Sequence, residues 1–179
     1  MEPVMRSGHL SVLIVSTGGT ISKRYVEATG ALDPHPDWLA ALGPRLRLPQ
    51  TEITMVQPVL KDSLDFTDAD RDAVADAVFG AESRFGGILV THGTDTVRET
   101  MRHLEARVAA GKAVLTRPVV FTGAMAPLHI DGSDAVQNLS AALTALRLLP
   151  PGLHLAFHDQ VLSGTQFEKD RTIGTFRQL

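Results

Sequence analysis

The sequence predicts an α/β fold: an open, mostly parallel sheet with helices on both faces, a Rossmann-like three-layer arrangement in a single domain. Three observations predict it. Apolar, β-branched runs alternate with helix-period stretches about four times along the chain, and such βα repetition builds parallel sheets. The runs at 11–16, 87–91 and 118–122 lack polar alternation, as strands covered on both faces require. The 179 residues suit one domain, and a chain of this size buries about two-thirds of its unfolded surface.

Composition narrows the function classes. Hydrophobic residues make up 44% and charged residues 21%, with a net charge of −3. That balance fits a globular protein and carries no basic footprint for nucleic acid. There is no cysteine, which removes disulfides, thiolate metal sites and cysteine nucleophiles. The apolar run at 10–15 is too short for a membrane span or a signal core, so a cytoplasmic protein without a membrane partner is expected.

The elements follow in order. After an irregular start at 1–9, the run Ser11-Val12-Leu13-Ile14-Val15-Ser16 reads as a buried strand ending in Thr17-Gly18-Gly19-Thr20-Ile21. Adjacent glycines allow a tight turn and close backbone approach. Residues 22–35 read as a mobile loop, and 36–42 as a short helix opened by Pro36. A strand at 52–59 stops at Asp62-Ser63-Leu64-Asp65, and Thr67 with Asp70 forms a capping-box pattern. Val74, Ala77, Val78 and Ala81 supply that helix's apolar stripe. The run at 87–91 leads into His92-Gly93-Thr94-Asp95-Thr96, and Val97, Met101, Leu104 and Val108 then keep helical spacing up to Gly111. A strand at 118–122 stops at Gly123-Ala124-Met125; Val136, Leu139, Leu143 and Leu146 mark another helix, ended by Pro150-Pro151-Gly152. Strands at 153–157 and 161–163 lead to a polar tail, 164–179.

Ligands of such sheets bind outside the carboxyl ends of the strands. Four strand ends, at 17–20, 62–65, 92–96 and 123–125, carry small, hydroxylic or acidic residues instead of bulky ones. A turn with a helix N-cap would account for any one of them; their convergence on one edge points to an active site. The phosphate-loop lysine and the Gly-x-Gly-x-x-Gly spacing are both missing. The seven histidines have no metal-ligand spacing, so neither a metal nor an organic cofactor is expected. His92 reads as a satisfied buried imidazole. Ser63 lacks the nucleophile-elbow pattern. Threonine hydroxyls remain, and these need an adjacent base. Thr94 and Asp95 share one turn, and Lys169 is a candidate to tune them, although composition alone leaves it an ordinary surface lysine.

These motifs resemble those of the bacterial-type L-asparaginases over nearly the whole chain. Thr17-Gly18-Gly19-Thr20-Ile21 resembles the family's first threonine motif. Thr91-His92-Gly93-Thr94-Asp95-Thr96, followed by Arg98-Glu99-Thr100, resembles its second. Phe121-Thr122-Gly123-Ala124-Met125 and Asp62-Ser63-Leu64-Asp65-Phe66-Thr67 are similar to further family segments, the latter a substrate-carboxylate loop. The stretch 158–164, followed by Lys169, resembles the one that carries a catalytic lysine.

The resemblance implies roles. Thr20 would be the nucleophile; Thr94, Asp95 and Lys169 would activate it or water; Tyr25 would be the loop tyrosine that activates Thr20. Ser63 and Asp95 would hold the α-carboxylate and α-amino group, with Gly19, Asp62, Gly93 and Thr94 also at the substrate. The implied reaction is hydrolysis of L-asparagine to L-aspartate and ammonia through an acyl-enzyme, in a homo-oligomer (dimer or tetramer). Familiar members are about twice as long. Residues 1–179 are therefore expected to form an N-terminal-type catalytic domain with the family's C-terminal domain absent. Leu64 also stands where longer members often carry a polar residue. Two other readings stay open: a non-catalytic aspartate- or asparagine-binding or regulatory module, and a glutaminase or related amidase.

Overall fold

The structure, a computed structural model, describes residues 8–42, 45–81 and 83–179. The expected irregular start thus lies mostly outside the described residues. In chain order the elements begin with β1 (Leu10–Ser16), β2 (Lys23–Val26), β3 (Ala31–Pro34), β4 (Thr51–Val56) and α1 (Asp68–Phe79). They continue with β5 (Gly87–Thr91), α2 (Val97–Ala109), β6 (Pro118–Thr122), α3 (Ala135–Leu148) and β7 (Gly152–Phe157). The chain closes with β8 (Gln160–Ser163), β9 (Phe167–Asp170) and β10 (Thr175–Gln178).

The main sheet runs β4-β1-β5-β6-β7-β8. All its neighbours pair in parallel except β7 with β8. Side chains alternate across each strand, and here both faces are apolar. Leu13, Val15, Ile88, Val90, Val119, Phe121, Leu155 and Phe157 face one core, shared with α1 and α2. Val12, Ile14, Leu89, Val120 and Ala156 face a second core, shared with α3 and Trp38. That double coverage is why the strands carry no polar alternation, and it agrees with the predicted three-layer fold.

Helix starts follow local chemistry. The Thr67 hydroxyl accepts from the Asp70 amide, while the Asp70 carboxylate accepts from the Thr67 amide at 2.8 Å, the capping box expected of this pair. The Lys61 ammonium beside Asp70 (2.7 Å), helped by donation from the Thr67 amide and hydroxyl to the same carboxylate, holds the carboxyl down at about 2. Residues Pro36–Ala41 form 3-10 turns broken at Asp37, not a regular helix, because Asp37 leaves helical geometry (φ −90°, ψ 20°).

Two segments depart from expectation. The loop predicted at 22–35 holds an antiparallel hairpin, β2 with β3, closed by Gly30 at φ +68°. The polar tail at 164–179 holds another, β9 with β10. Phe167 and Phe176 are both buried, edge-on to each other with ring centroids 5.5 Å apart, and Phe176 meets Phe157 at 5.0 Å. Two aromatic residues nine positions apart carry too little periodicity to signal a strand, but in space they anchor the hairpin on the α1/α2 side of the sheet.

Candidate active site

β1 exits toward the face covered by Trp38 and α3, whereas its neighbour β5 exits into α2 on the opposite face. Neighbouring strands with diverging exits leave a crevice at their carboxyl ends. Glycines let three loops close on it. Gly19 sits at φ +72°, and a Cβ there would lie 2.6 Å from the Gly93 amide nitrogen. A Cβ on Gly93 would lie 2.6 Å from the Ser63 Cβ. The Gly19 amide donates to the Lys61 carbonyl at 3.0 Å. Backbone therefore meets backbone at the ends of β1 and β5 and on the segment after β4, which brings Thr20, Ser63 and Thr94 together at one edge.

The polar centre is a three-residue contact between distant segments. The Lys169 ammonium, on β9, donates to the Thr94 hydroxyl at 2.7 Å and to Asp95 Oδ1 at 3.0 Å. Thr94 and Lys169 are 75 positions apart in sequence. Arg171 also donates to Asp95 Oδ1, at 2.7 Å, so two cations share one carboxylate oxygen. Met125 Sδ lies 3.8 Å from the Thr94 hydroxyl.

Neighbouring residues brace this turn. His92 is fully buried, and burial pushes its imidazole down to about 4, so it is neutral at neutral pH. Its Nδ1 faces the Gly93 carbonyl (2.9 Å), which only accepts, so Nδ1 carries the proton. Nε2 then accepts from the Thr100 hydroxyl at 2.8 Å. This is the satisfied imidazole that the sequence suggested. Thr96, at the N-cap of α2, makes no capping bond with its side chain; its hydroxyl donates to the Ser63 carbonyl at 2.7 Å. Arg98 reaches the Thr165 carbonyl (3.0 Å), and the Thr165 hydroxyl donates to Glu105 (2.8 Å). These bonds tie α2 to the segment that leads into β9.

Other candidates take different positions. The Thr20 hydroxyl makes no hydrogen bond among the described residues, and Thr20 opens a 3-10 turn, Thr20–Ser22, directly after Gly19. Ser63 is buried, and its hydroxyl has no hydrogen-bond partner among the described residues. Asp62 is fully engaged: Oδ2 accepts from Lys23 (2.7 Å) and Oδ1 from the Leu64 amide (3.1 Å). The Lys23 contact holds its carboxyl below the usual range against partial burial, with the Lys169 charge adding to the effect. Sequence reasoning missed Lys23 and Arg171, since neither sits in a motif. Tyr25 lies on β2, is 60% exposed, and points along the hairpin, its hydroxyl 3.9 Å from where a Gly30 Cβ would stand. Among the described residues, no hydrogen bond links it to Thr20. Leu64 is exposed beside the crevice. Among the described residues, no group of three or more His, Asp or Glu is placed to hold a metal ion.

Residues 11–177 match the model of the "Asparaginase, N-terminal" family. The chain belongs to that family. An L-asparaginase of Thermococcus kodakarensis is 32% identical over 165 residues, covering 92% of this chain and 49% of the relative. A glutamyl-tRNA(Gln) amidotransferase component from Thermoplasma acidophilum is 29% identical over 176 residues, covering 96% of this chain and 42% of the relative. Among solved structures, the thermostable L-asparaginase of T. kodakarensis superposes with a TM-score of 0.81 at 31% identity, over 95% of this chain and 51% of that one. L-asparaginase I of Vibrio cholerae gives 0.80 at 25% identity, over 96% and 52%. This asparaginase-family chain thus spans about half the length of the relatives it matches. Among its described residues, no helix is long and apolar enough to cross a membrane.

Proposed function

We propose that residues 1–179 form the catalytic N-terminal-type domain of an L-asparaginase, which hydrolyses L-asparagine to L-aspartate and ammonia without metal or organic cofactor. The observation that carries this reading is the Lys169 contact with both Thr94 and Asp95, at 2.7 and 3.0 Å. A threonine hydroxyl needs a proton acceptor to react or to activate water, and Lys169, once it has released one ammonium proton to solvent, would be that acceptor for Thr94. In the proposed course, Thr20 Oγ1 attacks the side-chain carbonyl carbon of asparagine. Its proton passes to the leaving nitrogen, the C–N bond breaks, ammonia departs and a β-aspartyl ester remains. Water then adds to the ester, its proton passing to Thr94 as the Thr94 proton passes to Lys169 in its amine form; as the ester C–O bond breaks, that proton returns through Thr94 to the departing Thr20 oxygen, which releases aspartate and restores both the Thr20 hydroxyl and the Lys169 amine. Backbone N–H groups beside Thr94 stabilise the oxyanion of each tetrahedral intermediate.

Substrate recognition falls to Ser63 and Asp95. A buried hydroxyl without a partner is costly, and a substrate carboxylate oxygen would satisfy that of Ser63. Asp95 takes the α-ammonium, and Gly19, Asp62 and Gly93 line the same crevice. Tyr25, on hairpin β2–β3, is the proposed activator of the Thr20 hydroxyl. The enzyme is proposed to be cytoplasmic and to act as a dimer or tetramer.

The test is ammonia release from L-asparagine by the purified protein, with L-glutamine alongside. Turnover lost in both Thr20→Ala and Thr94→Ala variants that remain folded supports the reading. Near-normal turnover in both sinks it, and binding of aspartate without ammonia release means a binding module. A second reading, a glutamine-directed amidase, is favoured by the match to an amidotransferase component over 96% of this chain. It predicts faster release from glutamine.

A further inference from the structure

Asp134 immediately precedes α3, where an aspartate ordinarily accepts from the first helical amides. It makes no such bond. Its carboxylate turns to the loop after β6, accepting from the Met125 amide at 3.0 and 2.9 Å and from the Ala126 amide at 3.0 Å. Asn138, fully buried on α3, donates to Asp134 at 2.8 Å and to the Gly123 carbonyl at 2.9 Å. The same Asn138 accepts from the His158 amide at 2.7 Å.

His158 closes the network from the end of β7. Its Nε2 lies 3.2 Å from Asp134 and its Nδ1 2.9 Å from the Thr175 hydroxyl. A carboxylate oxygen only accepts, so Nε2 is the donor to Asp134. The hydroxyl of Thr175 can donate or accept, so it pairs with Nδ1 in either role. His158 also holds φ +54°, a left-handed conformation that non-glycine residues rarely adopt. Thr175 lies on β10, paired with Asp170, and the next residue, Phe176, pairs with Lys169.

From this geometry we infer that His158 is a positioning residue. Through Asp134 and Thr175 it sets the hairpin β9–β10, and with it Lys169, against the loop after β6. One carboxylate thereby governs both neighbours of the Thr94 hydroxyl, Met125 on one side and Lys169 on the other. The aromatic contacts of Phe167 and Phe176 hold the hairpin to the sheet but are non-directional; the His158 bonds are directional and set where along the sheet it rests. The inference rests on the proposed reading that Lys169 belongs to the reacting set.

Two variants test it. Thr175→Val keeps the shape and removes the hydroxyl, with Thr175→Ser as the conservative partner. His158→Asn keeps a residue tolerant of left-handed backbone but is too short to span both ring bonds. For Thr175→Val and His158→Asn, kcat for asparagine should fall about tenfold to a hundredfold, the scale of an ångström's misplacement. KM should stay within about threefold, because Ser63 and Asp95 sit on other segments. Thr175→Ser should retain wild-type kcat. Amide hydrogen exchange across residues 167–178 should quicken in Thr175→Val and His158→Asn alone. Unchanged exchange and kcat in Thr175→Val overturns the inference, as does equal impairment in Thr175→Ser. If the wild type releases no ammonia, the asparaginase reading fails, and the exchange rates alone still decide whether His158 holds the hairpin.

Discussion

Between pH 7 and pH 4 this fold should lose about 3 kcal/mol of stability through one imidazole. His92 is fully buried between Phe66 and Phe121, with ring centroids at 4.8 and 6.4 Å. Burial lowers its pKa from 6.5 to about 4; the Arg71 charge adds to the drop, and the Gly93 carbonyl opposes it. In the unfolded chain the ring titrates near its ordinary value, about 6.5. The unfolded state therefore binds the proton first as pH falls, and folding loses ground in that window. The contribution is fully present above about pH 6.5 and is lost progressively toward pH 4. At about 1.4 kcal/mol per pKa unit, the drop imposed by burial converts to about 3 kcal/mol. The assay is urea unfolding from pH 7 to pH 4, wild type beside His92→Gln, which cannot titrate. His129 and His154, also lowered mainly by burial, and the paired aspartates are common to both proteins, so the difference between the two curves isolates His92. The wild type should lose about 3 kcal/mol more than the variant across the range. Parallel curves would show that burial does not hold the ring neutral, and the Nδ1–H bond to the Gly93 carbonyl would then need another explanation.

Three other perturbations follow from the same contacts. Lys169→Met removes the donor to Thr94 and Asp95 together; asparagine turnover should drop by about 10²–10⁴, the range of general acid–base catalysis, with the thermal midpoint little changed. Gly93→Ala drives a methyl into the Ser63 side chain, so affinity for aspartate, measured by calorimetry, should weaken by about tenfold or more, an order-of-magnitude expectation for a binding loop displaced by an atom's width; unchanged affinity would remove Ser63 from the site. Thr67→Ala deletes the cap of α1 and should cost about 1 kcal/mol in urea unfolding without touching kcat.

Some features were readable because their causes are local. The run at 87–91 had to be covered on both faces, since it offers no polar side. Thr67 and Asp70 announced the start of α1 because a capping box spans three residues. The hairpins were illegible for the converse reason. The pairing of Tyr25 with Leu32, or of Lys169 with Phe176, leaves no alternation long enough to distinguish a short strand from a polar loop. Lys23 looked like a loop cation; its bond to Asp62 spans 39 positions and depends on how the β2–β3 hairpin lies on the segment after β4.

What the sequence determined by itself is the layered α/β architecture and the chemistry gathered at the strand ends. Hydrophobic period and turn residues act within about ten neighbours, and those neighbours are adjacent in any sequence. What only the tertiary structure decided is which of the candidate groups touch. Lys169 could have been one more solvated surface lysine. It meets Thr94 because β9 pairs with β10, because Phe176 packs on Phe157, and because Gly19 and Gly93 let the loops close. A contact across 75 positions is the sum of those packings, and no single stretch of chain encodes it.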